Sequence, residues 1–136
     1  MFFEDAEEGK VYKAEVRKPI TGTEIDMTCQ LSGMDQRGFL DAGYAKEMGF
    51  RDRVVPGAYA IACLFGIMGK QGFLSDAIWV HGDDISFRAP IFPGDLLSGE
   101  CEVIGKKESK RGGGQVTYRW RLKNQEGKIN AEGTNT

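Results

Sequence analysis

The stretch that decides the fold is VVPGAYAIACLFGIMG, Val54–Gly69, which carries no charged side chain. It is shorter than the roughly 20 residues that a membrane span needs. Pro56 suits the first turn of a helix, and the length and small residues of the stretch favour a helix over a buried strand. Apolar residues occupy its whole circumference, so we expect protein to surround the helix on nearly all sides.

Strand patterns flank this helix on both sides. Two segments of the second half alternate apolar and polar residues, which is typical of half-buried antiparallel strands. The predicted strands are Tyr12–Val16, 78–89 (ended by Pro90), 97–103, 116–123 and a short strand around Ile129 and Ala131. A polar hairpin, KKESKRGGG, and the turn NQEG join the last three.

One segment before the helix shows two patterns. Ile25, Met27, Cys29 and Leu31 alternate as in a strand, whereas TGTEID is typical of a helix start with Thr23 as its cap. We predict a helix over residues 23–32.

Together these elements predict an α+β protein, a single domain over residues 1–136, in which an antiparallel sheet curls around the central helix. This is the hot-dog architecture. A single sheet around one helix leaves an open edge and an incomplete pocket, so we expect a dimer: a homodimer, or a heterodimer with a related chain.

Composition excludes several classes of function. The net charge of −2 gives no electrostatic reason to expect nucleic acid or an anionic membrane as partner. Cys29, Cys63 and Cys101 are widely spaced and no histidine cluster accompanies them, so we expect no metal. Reduced, buried thiols and a first segment unlike a signal peptide predict a cytoplasmic protein.

Three motifs resemble the MaoC-like hydratases and dehydratases of acyl thioesters. They are LSGMDQRGFLDAGYAKEMGF (31–50), RVVPGAYAIACLFGIMG (53–69) and ISFRAPIFPGDLL (85–97). The resemblance, which covers about residues 20–133, implies a hot-dog fold and an (R)-specific enoyl-CoA hydratase or dehydratase (a lyase of fatty acid metabolism). It also implies a thioester of coenzyme A or acyl carrier protein as ligand, with no cofactor beyond the coenzyme A of the substrate.

The first motif departs from the family at its catalytic positions. Aligned on Asp41 and Tyr44, the family's catalytic aspartate falls on Met34 and its histidine on Phe39. Acid–base catalysis needs a titratable group within hydrogen-bond reach of the reacting atoms, and neither side chain provides one. The resemblance therefore implies a protein of this fold that lacks the usual Asp/His pair.

Two other residues are candidates for the chemistry. Asp35 adjoins the substituted aspartate position, and DQRGFLD also resembles the catalytic loop of hot-dog thioesterases, so Asp35 could be the carboxylate of a thioesterase or hydratase. His81 is the only histidine and titrates near neutral pH. The alternatives are that Asp35 bonds its own loop and that His81 is an ordinary strand residue.

Binding residues follow from the resemblance to the central helix. The backbone N–H groups at Gly57 and Ala58 would hold the thioester carbonyl at the positive end of the helix dipole, although Gly57 could instead serve close helix–sheet packing. The remaining pocket residues are expected to be Met34, Phe39, Tyr44, Pro56 and Tyr59. Asp41 is expected to cap the short helix that carries Tyr44.

The leading hypothesis is therefore an acyl-thioester-binding MaoC-like protein. The alternatives are an enzyme that uses Asp35, and a non-catalytic partner subunit of a heteromeric dehydratase.

Overall fold

The computed structural model describes residues 1–136 and contains six strands, four α-helices and one short 3-10 helix (Phe3–Asp5). The strands are β1 (Val11–Lys13), β2 (Lys18–Pro19), β3 (Gly82–Phe87), β4 (Leu96–Glu108), β5 (Gly114–Lys123) and β6 (Ile129–Asn135). The helices are α1 (Gly22–Ser32), α2 (Arg37–Leu40), α3 (Ala42–Glu47) and α4 (Gly57–Gly69).

The strands form one antiparallel sheet in the order β1-β4-β5-β6-β3, with β2 also paired to β4. The two longest strands, β4 and β5, lie in the middle of the sheet. Alternate apolar residues of both strands point to the same face, where they are buried: Leu97, Cys101, Val103, Val116, Tyr118, Trp120 and Leu122. The free edge of β3 ends the sheet on one side. This arrangement confirms the predicted hot-dog fold.

Helix α4 packs on that apolar face. Its buried residues are Ala60, Cys63, Leu64, Ile67 and Met68, and Gly99 of β4 permits the close approach, since a Cβ there would lie 3.0 Å from Leu64 Cδ1. The opposite face of α4, with Ala58, Ala62 and Gly66, is exposed. The expectation that protein surrounds α4 on nearly all sides is wrong for the single chain, because one sheet covers only one face.

Residues 23–32 are helical, as predicted, but the cap is not Thr23. Helix α1 begins after Thr21, whose side chain accepts a hydrogen bond from the Glu24 N–H while the Glu24 carboxylate accepts one from the Thr21 N–H. This reciprocal arrangement is a capping box.

Two predicted strands are shorter than expected. Strand β1 includes Tyr12 but ends at Lys13, and residues 78–81 precede β3 without belonging to it. The backbone N–H groups of Val80 and His81 both donate to the carbonyl of Thr136. These bonds are not part of the regular hydrogen-bond pattern of the sheet. No helix has the length and hydrophobicity required to cross a membrane.

Candidate functional site

The N-terminus of α4 presents unpaired backbone donors. Pro56 occupies the cap position and offers no side-chain hydrogen bond, and the first N–H that bonds back along the helix is that of Ala60, to Pro56 O at 3.0 Å. The N–H groups of Gly57, Ala58 and Tyr59 therefore have no partner in the chain. Such a helix end favours a negatively charged or strongly polarised oxygen atom.

A cavity of about 430 Å³ lies beside these donors. Its walls come from two distant segments of the chain: one contributes Phe50, Val54, Val55, Gly57 and Ala60, and the other Phe87 to Ile91. Arg88 is the one charged side chain in this wall, and its guanidinium pairs with Glu132 at 2.7 Å. The cavity is thus an apolar space with a helix N-terminus at its side.

Phe87 at the end of β3 stands against Gly57. A Cβ at position 57 would come within 2.7 Å of the Phe87 ring, so glycine permits this contact while the ring remains 54% exposed. Both roles expected for Gly57 thus have a physical basis: glycine permits the close contact with Phe87, and the N–H groups at this helix end have no partner.

Residues 33–49 lie behind the wall of this cavity, and Phe50, which follows them, forms part of the wall. Val54 N–H donates to Gly38 O at 3.1 Å, which joins α2 to the cavity wall. Met34 and Phe39 are half-buried and pack against the core, whereas Asp35 is exposed. None of Met34, Asp35 and Phe39 lines the cavity.

Tyr44 and Asp41 have local roles in this loop. The Asp41 carboxylate accepts a hydrogen bond from Tyr44 N–H at 3.1 Å, which confirms the predicted cap of α3. The guanidinium of Arg37 lies 4.1 Å from the centre of the Tyr44 ring. Tyr44 therefore packs under Arg37 and does not reach the cavity.

Arg53 holds the loop in place. Its guanidinium donates to Gly22 O at 3.2 Å and Phe39 O at 3.4 Å and pairs with Asp26. With 17% of its side chain exposed, it connects α1, α2 and the approach to α4. Nothing in the sequence pattern around Arg53 indicated this role, because its partners are distant along the chain.

Tyr59 lies on the flank of α4 away from Phe87. Its hydroxyl donates to the Glu24 carboxylate, which also accepts from Lys18 Nζ at 2.6 Å. Burial raises the pKa of Tyr59, and the bond to Glu24 raises it further. Burial opposes ionisation of Glu24, but the hydrogen bonds from Lys18 and Tyr59 outweigh it and lower the pKa of that carboxyl. Lys18, Glu24 and Tyr59 join α1 to α4.

His81 is distant from the end of α4. His81 pairs with Thr136 and Phe87 with Ala131, five residues earlier along the neighbouring chain segment, and a strand rises about 3.3 Å per residue, so the two are roughly 16 Å apart. Its imidazole is exposed, and its backbone pairs with Thr136. Pro56, Gly57 and Ala58 thus lie together at the start of α4, and neither Asp35 nor His81 lines the cavity beside them.

A second, larger cavity of about 800 Å³ lies along the same face of α4, towards its C-terminal end. Leu64, Phe65 and Met68 line it, across from Trp79 and Tyr118. These helix positions follow Gly57 and Ala60 at spacings of three and four residues, so both cavities border one helix face. Burial raises the pKa of Tyr118 to about 12, which keeps its hydroxyl neutral in this apolar space.

Comparison with known proteins gives a consistent result. Residues 4–124 match the family model described as MaoC like domain. The chain is 29% identical over 98 residues to an (R)-specific enoyl-CoA hydratase of Aeromonas caviae, covering 72% of each protein. It superposes on the MaoC-like dehydratase from Rhodospirillum rubrum with a TM-score of 0.84 at 24% identity, covering 99% of this chain and 93% of that one.

A further structural neighbour is a complex. The C-terminally truncated HadBC 3R-hydroxyacyl-ACP dehydratase complex from Mycobacterium tuberculosis gives a TM-score of 0.79 at 16% identity, covering 94% of this chain and 93% of that one.

Proposed function

Because the chain belongs to the MaoC-like domain family, we propose that it binds an acyl thioester, of coenzyme A or of acyl carrier protein, at the N-terminus of α4. The observation that carries this proposal is the set of three unpaired N–H groups at Gly57, Ala58 and Tyr59 beside an apolar cavity. A thioester carbonyl oxygen accepts such donors, and the negative charge that develops on it during addition or elimination strengthens those bonds.

In this proposal the acyl chain extends from Gly57 towards the larger cavity, and the buried side chains of Ala60 and Leu64, which fill the helix face between the two cavities, move aside. From Gly57 to Phe65 the helix rises roughly 12 Å, at about 1.5 Å per residue, so a chain held at Gly57 by its carbonyl would point towards the larger cavity. That cavity is lined mostly by hydrophobic residues, as an acyl chain requires. Phe39 and Tyr59 line neither cavity.

The reaction class that fits this site is hydration of an enoyl thioester, or the reverse dehydration. No titratable side chain other than Arg88 lines the smaller cavity, and the usual acid–base positions hold Met34 and Phe39. Asp35 adjoins Met34 in sequence but is exposed and lines neither cavity, so we propose it as the base of any residual activity only if its loop moves the carboxylate within hydrogen-bond reach of the bound thioester. The usual Asp/His mechanism does not apply.

Turnover of a short enoyl-CoA tests this mechanism. Hydration removes the conjugated double bond, so loss of enoyl absorbance measures the rate. We expect a slow reaction that Asp35→Asn abolishes and that His81→Ala leaves unchanged. Efficient hydration that survives both substitutions would overturn the assignment to Asp35.

Equilibrium binding tests the wider proposal independently of turnover. Isothermal titration with a ketone analogue of acyl-CoA, in which a methylene group replaces the thioester sulfur, is expected to give saturable binding that strengthens as the acyl chain lengthens. Phe65→Trp should weaken binding of the longer analogues while leaving the shortest unaffected. Absence of binding at every chain length would exclude the proposed ligand class.

A further inference from the structure

The larger cavity is apolar at its buried end except for one hydroxyl group. Its buried lining residues are Leu64, Met68, Phe73, Cys101, Val116 and Tyr118. Among these, only Tyr118 has an oxygen atom in its side chain. The other lining residues with a side-chain oxygen are exposed or half-buried: Glu4, Ser75, Asp76, Gln115 and Thr136. The Tyr118 hydroxyl is therefore the strong hydrogen-bonding group in the buried part of this cavity.

The Tyr118 side chain is fixed in the cavity wall. The Phe73 ring packs against its ring at right angles, with the two centres 5.2 Å apart. The Tyr118 hydroxyl accepts a hydrogen bond from Nδ2 of Asn135, at 3.4 Å. Asn135 lies directly opposite Tyr118 on the neighbouring strand β6 and is 1% exposed. The hydroxyl thus has a defined position and only one partner in the chain.

Tyr118 and Asn135 do not satisfy each other's hydrogen-bonding capacity. The hydroxyl of Tyr118 accepts from Asn135 but donates to no atom of the chain, and Oδ1 of Asn135 is buried without a partner. Turning the amide by 180° would let the hydroxyl donate to Oδ1, but the amide N–H groups would then be unpaired. Buried polar groups are nearly always paired. An unsatisfied pair in the wall of an apolar cavity therefore indicates a ligand with a polar group at this position.

The chemistry of the pair selects the kind of polar group. Burial raises the pKa of Tyr118 to about 12, so its hydroxyl is neutral and can both donate and accept a hydrogen bond. A charged group in this apolar space would carry a large desolvation cost, and a hydrocarbon would leave the Tyr118 hydroxyl unpaired. A ligand hydroxyl both donates and accepts, so it pairs with Tyr118 in either orientation of the Asn135 amide.

We propose that the acyl chain bound by this protein carries a hydroxyl group in its distal part, and that Tyr118 binds this hydroxyl. The inference rests on the proposed function, because it takes the chain to run from Gly57 into the larger cavity. Leu64 and Met68, which line the cavity together with Tyr118, lie roughly 10 and 16 Å from Gly57 along α4. The distal hydroxyl is therefore distinct from the one that hydration adds close to the thioester.

Two series of ketone analogues of acyl-CoA test the inference by isothermal titration. In one series the acyl chain ends in a methyl group, and in the other a hydroxyl group replaces that methyl at each chain length. An unpaired hydroxyl is disfavoured in an apolar cavity, so at most lengths the hydroxyl analogue should bind wild type more weakly than its methyl counterpart. At the length that brings the hydroxyl to Tyr118, it should bind at least as tightly.

Tyr118→Phe removes the proposed partner and keeps the ring. At the favoured length it should weaken binding of the hydroxyl analogue about three- to tenfold, the value of one ordinary hydrogen bond, and leave the methyl analogue unchanged. The matched control is Tyr12→Phe. The Tyr12 ring also packs on Phe73, with centres 5.1 Å apart, but it lines neither cavity. This variant should bind both analogues as wild type does.

The outcomes separate this inference from the proposed function. If methyl analogues bind, hydroxyl analogues bind wild type more weakly at every length, and Tyr118→Phe leaves their ratio unchanged, the distal hydroxyl is excluded and the thioester site stands. If no analogue of either series binds, the proposed function fails and this inference fails with it. The comparison of the two series in wild type decides the first case even if Tyr118→Phe does not fold, which thermal unfolding shows.

Discussion

Removing a single backbone donor at the start of α4 separates the two roles of Gly57. Gly57→Pro deletes the N–H at the first helical position, where proline is favoured, and Pro56 already has the extended conformation (φ −56°, ψ 134°) that a following proline requires. In the native chain, however, the new Cβ would meet the Phe87 ring at 2.7 Å. The substitution is therefore made together with Phe87→Ala, which frees that space.

The matched control is Gly57→Ala together with Phe87→Ala. Both double variants add a Cβ and differ mainly in the N–H group. If that N–H holds the carbonyl, its loss should cost about 10²- to 10³-fold in turnover, as for other oxyanion donors. The affinity for the ketone analogue should fall by about fivefold, the value of one ordinary hydrogen bond.

Enoyl turnover and isothermal titration measure both effects, with thermal unfolding to show that the two variants are equally stable. We expect the alanine variant to match Phe87→Ala alone and the proline variant to fall below it by these factors. Equal binding and turnover in the two double variants would refute a role for the Gly57 N–H and leave only packing.

Three further predictions concern the parts that hold the site. Leu64→Ala should lower the free energy of unfolding by about 2–5 kcal/mol, because Leu64 is fully buried against the sheet; a loss below about 1 kcal/mol in urea unfolding would contradict this packing. The pKa of Glu24 is lowered in the folded chain, so its ionised form stabilises the fold above the ordinary glutamate pKa of about 4.3 and this stabilisation is lost as the pH falls through the lowered value. Glu24→Gln should therefore destabilise the protein at neutral pH, with the difference from wild type closing in strong acid; a difference independent of pH would count against it. Arg53→Met should cost about 1–3 kcal/mol and speed amide hydrogen exchange around Phe39, whereas unchanged exchange would show that Arg53 does not hold this loop.

The central helix and the two long strands could be predicted because their patterns are strong and local. Residues 54–69 carry no charge, and alternation in β4 and β5 follows the faces of the sheet. The cap of α1 was predicted wrongly: it is Thr21, three residues before Glu24, and because Thr23 precedes Asp26 by the same spacing, spacing alone does not distinguish the two threonines. When Thr21 is the cap, Glu24 also contacts Lys18 and Tyr59. No local sequence pattern predicts these contacts.

The site could be predicted only in part, for a similar reason. The end of α4 is a local feature, so its start at Pro56 and Gly57 could be predicted from the sequence. The cavity is not local: Phe50, Phe87 and Ile91 meet there only after the sheet has folded over the helix. The motif ISFRAPIFPGDLL contains Phe87, but its contact with Gly57 depends on how the sheet lies over the helix and could not be predicted from the motif.

The central claim is that the unpaired N–H groups of Gly57 and Ala58 bind a thioester carbonyl. Titrating ¹⁵N-labelled protein with the ketone analogue of acyl-CoA tests it most directly, since amide chemical shifts respond to a new hydrogen bond. We predict that the Gly57 and Ala58 amides show the largest downfield proton shifts, saturating together with the calorimetric binding curve. Saturable binding that shifts amides elsewhere and leaves those of Gly57 and Ala58 unchanged would contradict the claim.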